Sequence, residues 1–351
     1  MKNTTMLLVA CTILAGSCTK ESPKDTDIPS GTLQFEISAT NSLQTKGNLY
    51  SQEPVHSVAD VKVYVFKKSG SDYLYLKTYQ LPWTAGSSSG RYDVPASEMI
   101  PTGDYKFLAV GRNATDSFTL PTLTANTTSY DAFIVSVASA GLETDIFSGS
   151  HSMSVVSEGM RVPITITRKV AGILGYFKNV PANIGGRDVK YLRLNISNSD
   201  RSLNLTTGLG SNPTGVGYNL INVDLRTQTI NSEGAFSGND LTAQGVVKLP
   251  NSQLYGSFVI PVTGIQLTLG LYDAQGTALK TWTIQNDTAD STFDITANHF
   301  YALGTKVATG TTTGTADNPV ADAPIDLMKD QVISVTISPD WSVIHDMTIQ
   351  P

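Results

Sequence analysis

Apolar residues recur at every second position in one short segment after another, with turn-forming residues between the segments. In Leu33, Phe35, Ile37 and Ala39 the alternation makes one face of an extended chain apolar, the period of a half-buried strand and not of a helix. Val61-Lys62-Val63-Tyr64-Val65-Phe66 is β-branched and aromatic. Lys67 to Asp72 then supplies turn chemistry before Tyr73 to Tyr79, which together predict a hairpin. The same grammar returns in Tyr105 to Val110, in the long stretch Val162 to Tyr176, in Tyr191 to Ile196, in Tyr255 to Val262 and in Ile265 to Tyr272. It closes on Lys280 to Ile284 and Phe300 to Leu303. Helical spacing is weak throughout, and Tyr130 to Val137 is the one segment where a short helix fits. Only 15% of the residues are charged, which leaves too few surface charges for long solvated helices. An all-β chain of 351 residues divides most simply into two β-sandwiches.

The two cysteines, Cys11 and Cys18, both lie near the amino terminus, so the remainder can form neither a disulfide nor a thiolate metal cluster. Lys2 followed by the apolar run Met6 to Ala15 reads as an export signal, too short to span a bilayer as a mature helix. The run ends on Leu14-Ala15-Gly16-Ser17-Cys18, a lipobox pattern that makes Cys18 the lipid attachment point. Cys11 follows a similar local pattern but has too little chain before it. Ordinary signal cleavage beside an incidental cysteine is the plainer alternative. Residues 19–31 are polar and contain two prolines, as a tether would.

Catalytic signatures do not emerge. His56, His151, His299 and His345 are far apart and form no metal-binding spacing. Gly86 to Gly90 matches G-x-S-x-G in letters alone, without the strand before it and helix after it that a nucleophile elbow needs. Asp287, Asp290 and Asp294 lack the spacing of a calcium loop. Trp83 reads either as an exposed aromatic for a ligand or as a structural tryptophan. The net charge of −6 offers no broad basic surface for nucleic acid. No enzyme activity, cofactor, metal or nucleic-acid partner is expected.

Three stretches together resemble the FimA-type fimbrillins, the major subunits of the type V pili of Bacteroidales. Gly31 to Ala39 running into Thr45-Lys46-Gly47 is similar to that family's first strand and maturation site. Ile166-Thr167-Arg168-Lys169-Val170-Ala171-Gly172-Ile173 is similar to its Arg-x-x-Ala strand near the junction of two domains. Val332 to Ile349 is similar to its ending of a strand, a tryptophan and a final alternating strand. The resemblance implies two tandem transthyretin-like β-sandwich domains after a lipoprotein signal peptide. It divides the chain into a signal peptide (1–17), a lipidated tether with the first strand (18–46), an N-terminal domain (47–164) and a C-terminal domain (165–351).

It also implies a mechanism. A protease cuts between Lys46 and Gly47, the first strand leaves, and a donor strand from another subunit fills the groove. Trp341, Val343, Met347 and Ile349 are the donor candidates, with His345 interrupting their apolar face. Many fimbrillins have arginine at the cleaved bond where Lys46 stands. The implied partners are other fimbrial subunits, as homopolymer and accessory subunits, the maturation protease, the outer membrane through the precursor's lipid, and a host or bacterial surface ligand. The expected location is the outer membrane for the precursor and the extracellular fimbria for the mature subunit. The runner-up is an uncleaved surface lipoprotein, either a fimbrial anchor or tip or a module that binds glycan or protein. Lys46 is then a plain loop residue and the tail an ordinary last strand.

Overall fold

A computed structural model describes residues 31–39, 58–85, 87–113, 116–156, 159–237, 251–305, 323–329 and 331–338. From the amino end come β1 (Leu33–Ala39), β2 (Asp60–Ser69), β3 (Asp72–Gln80), β4 (Ser89–Val94) and β5 (Gly103–Arg112). After them lie β6 (Phe118–Thr119), β7 (Ile134–Val137), β8 (Ile146–Val155), β9 (Met160–Arg168) and β10 (Ala171–Lys178). The chain continues through β11 (Asn183–Ile184), β12 (Arg187–Asp188), β13 (Tyr191–Ile196), β14 (Ser202–Asn204), β15 (Leu209–Gly210) and β16 (Tyr218–Asp224). It then forms β17 (Ser252–Val259), β18 (Val262–Ile265), β19 (Leu267–Tyr272), β20 (Ala278–Gln285) and β21 (Phe293–Ile295). The last are β22 (Phe300–Leu303), β23 (Ile325–Asp326), β24 (Ile333–Ser334) and β25 (Thr336–Ser338). The all-β expectation holds. The helix fitted to Tyr130 to Val137 does not form: a three-residue 3-10 turn, Tyr130–Ala132, leads into β7. Val135 and Val137 point into a core while Ile134 and Ser136 point out, so period-two burial wins there.

The first sheet has the order β3-β2-β5-β8-β9-β1-β4. Its β8 to β9 ladder is only two pairs long, Phe147 with Arg168 and Ser148 with Thr167. The strands part at Gly149, where a Cβ would fall 1.9 Å from the Thr165 carbonyl oxygen, so only glycine allows the approach. Beyond that fork the sheet doubles over into two layers, β3-β2-β5-β8 and β9-β1-β4. Side chains from all seven strands fill the space between them. The rings of Phe35 in β1 and Tyr79 in β3 are 5.3 Å apart, those of Phe35 and Phe107 in β5 5.5 Å, and those of Tyr79 and Tyr92 in β4 6.1 Å. Residues 164 and 165 both lie inside β9, which stays in this sheet to its end at Arg168.

A second pair of layers, β17-β10-β22-β25 and β16-β13-β19-β20-β24, encloses another core. The tail joins the two: β24 runs parallel to β20 in one layer, and β25 runs antiparallel to β22 in the other. A third core lies between the outer face of the first sheet, the small sheet β15-β14-β7-β6 and the outer face of β10, β17 and β22. Strand β10 therefore packs on both faces, with Ala171 and Ile173 in one core and Leu174 and Tyr176 in the other. This explains why its sequence reads as a near-continuous apolar run.

Beside the small sheet, Glu143 is 1% exposed. Its Oε1 lies 3.3 Å from Arg201 Nη1 and accepts from Tyr218 Oη at 3.2 Å. Burial outweighs these partners and pushes the Glu143 carboxyl above its ordinary value. A raised folded value makes this group favour folding below the ordinary carboxylate range, and that contribution is lost as pH rises through the folded value. The thermal midpoint of the native protein minus that of Glu143→Gln is therefore expected to fall as pH rises through the window that opens at the ordinary carboxylate value of 4.5. A difference that stays constant across that window would refute the assignment.

Candidate strand-acceptor groove

The residues that β1 touches define the candidate site. β1 is the middle strand of its layer, antiparallel to β4 from Leu33–Val94 to Ser38–Ser89 and parallel to β9 from Leu33–Met160 to Ala39–Ile166. Its alternation sends Leu33, Phe35, Ile37 and Ala39 inward, all at most 5% exposed. The outward residues are tied sideways. Gln34 Nε2 donates to Asp93 Oδ1, Glu36 pairs with Arg161 at 3.3 Å, and Ser38 Oγ lies 3.1 Å from Thr165 Oγ1. Two backbone bonds extend the ladders, Met160 N to Thr32 O at 2.9 Å and Ala39 N to Ser88 O at 2.8 Å.

Without β1 this position would be a channel one strand wide. Its floor is Tyr79 and Phe107, and its walls are the facing backbone edges of β9 and β4. Among the described residues β4 has no ladder except that with β1. Side chains alone would then hold it, through Val94, Tyr92 and a contact from the preceding loop. That contact is Trp83, which packs on the same core and covers Gly90, where a Cβ would meet its ring at 2.8 Å. Trp83 is thus a structural residue, and Ser89 and Gly90 of the G-x-S-x-G run are the start of β4.

The junction motif has a physical role in this frame. Arg168, the last residue of β9, is 2% exposed and grips Asp145 with two bonds, Nε to Oδ1 at 2.6 Å and Nη2 to Oδ2 at 3.0 Å. Its guanidinium carbon is 5.3 Å from the centre of the Phe147 ring. Sequence reasoning picked out Arg168 by resemblance and missed Asp145, because the pair is 23 residues apart with no shared motif.

The other expected site residues lie outside the described residues: Cys18, Lys46 and Gly47, and Trp341, Val343, Met347 and Ile349 in the tail. The geometry thus covers the strand that would leave and the groove around it. Among the described residues no group of three or more His, Cys, Asp and Glu side chains could hold a metal ion.

No curated protein matches the chain. Among solved structures it is similar to a candidate adhesin from Bacteroides ovatus, with 15% identity, 81% of this chain and 95% of that chain covered, and a TM-score of 0.45. The fimbrial anchor protein Mfa2 from Porphyromonas gingivalis is 10% identical, with 78% and 90% covered and a TM-score of 0.42. A candidate cell adhesion protein from Parabacteroides distasonis is 12% identical, with 89% and 97% covered and a TM-score of 0.44. One family profile matches from residue 26 to residue 346. It is fimbrial, as the resemblance implied, but it is not specifically that of the major subunit. The chain belongs to the family described as fimbrillin-A associated anchor proteins Mfa1 and Mfa2, and is a fimbria-associated protein of the cell surface.

Proposed function

We propose that this chain is a structural, non-enzymatic fimbrial subunit, exported to the outer membrane as a lipoprotein acylated on Cys18. In this reading β1 occupies a groove that cleavage between Lys46 and Gly47 opens to a donor strand. The observation that carries it is the place of β1: a strand next to the amino-terminal tether that is also the middle of a layer, with a ladder on each side. Withdrawing such a strand leaves two rows of unpaired backbone groups around an apolar channel, the features that strand addition requires. The replacement must pair with β9 on one side and β4 on the other, parallel to one and antiparallel to the other, and present inward side chains at alternate positions. The tail candidates Trp341, Val343, Met347 and Ile349 have that spacing. Donor and groove are different surfaces of one subunit, so the contact is head-to-tail and propagates a filament.

The family's description as anchor proteins favours a second reading, in which the bond after Lys46 stays intact and β1 remains as a permanent plug. The protein would then be a lipid-held base or tip for other fimbrial subunits. Amino-terminal sequencing of surface-released material, with palmitate labelling of the membrane fraction, separates the two. The strand-acceptor reading expects Gly47 as the first residue. If every surface copy carries acylated Cys18 joined to β1, that reading is overturned and the anchor remains.

A further inference from the structure

The outward face of the β16-β13-β19-β20 sheet carries a polar and aromatic cluster that neither core packing nor strand exchange uses. One cross-strand row contains Asn222, Arg193, Gly270 and Thr281, and the adjoining row contains Tyr191 beside Tyr272. The intervening Leu192, Leu269 and Leu271 are buried in the core, so this row pair faces solvent. Gly270 is nonetheless covered, because the Tyr272 ring lies along the sheet on top of it. A Cβ at Gly270 would fall 2.7, 2.8 and 2.9 Å from Cε2, Oη and Cζ of that ring. The far end of the ring is pinned as well, with Asn195 Nδ2 donating to Tyr272 Oη at 2.9 Å. The result is an aromatic platform fixed at both ends.

Arg193 stands against this platform. Its guanidinium carbon is 5.0 Å from the centre of the Tyr272 ring and 4.6 Å from that of Tyr191. Its Nε donates to Asn222 Oδ1 at 2.9 Å, which aims the planar group. Among the described residues Nη1 and Nη2 have no hydrogen-bond or ion-pair partner. The carboxylate in the neighbouring row, Asp224, is taken up by Arg226, whose hydrogen bonds hold it down to about 2. A preorganised guanidinium with open terminal donors is built to receive a carboxylate in two-point fashion. No large aliphatic side chain joins the row of Asn222, Arg193, Gly270 and Thr281, so a partner that binds by apolar burial finds little there.

We propose that this face binds an acidic saccharide. The sugar carboxylate accepts from Arg193 Nη1 and Nη2 over the Tyr272 ring, and the exposed Asn222 and Thr281 of the same row serve the ring hydroxyls. The test is calorimetric titration of the full-length protein in detergent with sialyllactose and with trigalacturonate, with lactose as the neutral control. At least one acidic sugar is expected to bind at millimolar concentration, and Arg193→Gln to weaken it about tenfold or more. Gly270→Ala should weaken the same ligand without changing charge, because the methyl group lifts the Tyr272 ring. If either variant fails to fold, Thr281→Glu at the exposed neighbouring position keeps the sheet and sets a like charge against the ligand. The absence of binding to both acidic sugars, equal binding of lactose, or unchanged affinity in the folded variants would overturn the proposal and leave the cluster as cross-strand packing.

Discussion

Arg168→Ala is expected to lower the unfolding free energy by about 3–5 kcal/mol, among the largest effects a single side chain can have. The loss is not the worth of the ion pair alone. Both side chains of the pair are 1% exposed, so removing the guanidinium strands the Asp145 carboxylate away from water. Asp145→Ala should cost a similar amount, since it takes the two-point partner away from a buried cation. A lysine at 168 cannot reproduce the two-point grip and should rescue little. By contrast, joint replacement by residues of similar volume, Arg168→Met with Asp145→Leu, should recover much of the loss, because no charge is then left buried. Urea unfolding of the native protein, Arg168→Met, Asp145→Leu and the two combined forms a double-mutant cycle whose coupling should be large. Single variants within about 1 kcal/mol of the native protein would contradict this account. The position matters: the next residue, Lys169, starts the passage from the first sheet to β10, and its backbone N–H donates to Ile146 O at 2.8 Å. The pair therefore fixes where the chain leaves the first sandwich.

The second large effect is expected at Phe35, whose replacement by alanine should cost about 3–5 kcal/mol. Its side chain is fully buried and its ring meets Tyr79 and Phe107 across the layers, so truncation leaves a cavity bounded by three strands. The outcome should also be local in a particular way. As β4 is laddered to β1 alone among the described strands, loosening β1 should speed amide exchange in β4 and in β9 ahead of β2 and β5. Ser38→Ala, on the outward face of the same strand, should stay within about 0.5 kcal/mol of the native protein. Uniform exchange across the first sheet in Phe35→Ala would show instead that β1 and the four-stranded layer open as one unit.

Much of the secondary structure was legible, and for a simple reason. Leu33–Ala39, Tyr191–Ile196 and Phe300–Leu303 form strands with the bounds that their side-chain pattern indicates, because there burial and β-propensity agree. The stretch Val162 to Tyr176 reads as β-prone throughout, yet it breaks after Arg168, where the chain passes between sheets. Nothing in its composition marks that break, because β10 is apolar on both faces. What stayed hidden is which layer a strand joins. The two-pair ladder between β8 and β9 and the close approach at Gly149 are long-range events, and so is the meeting of Arg168 with Asp145. The tail's pattern indicates one strand before Trp341, but the segment divides into β24 and β25 on opposite layers, because Val335 is drawn into the core between them. Of the candidate site, the strand that fills the groove was visible from its alternation. The groove itself, made of residues from four other strands, was not.

The parallel alignment of β1 with β9 has a mechanical side. A load applied through the amino-terminal end of β1 would pull along its axis and stress its bonds to β9 and β4 together. A strand peeled from one end would instead break them one at a time. Slippage by a single residue would also turn Leu33, Phe35 and Ile37 from the core towards solvent, so the first step of sliding meets the full barrier. Resistance to force depends on that barrier and not on equilibrium stability. A surface appendage held through this strand would tolerate sustained drag along its length far better than an equal force directed across it.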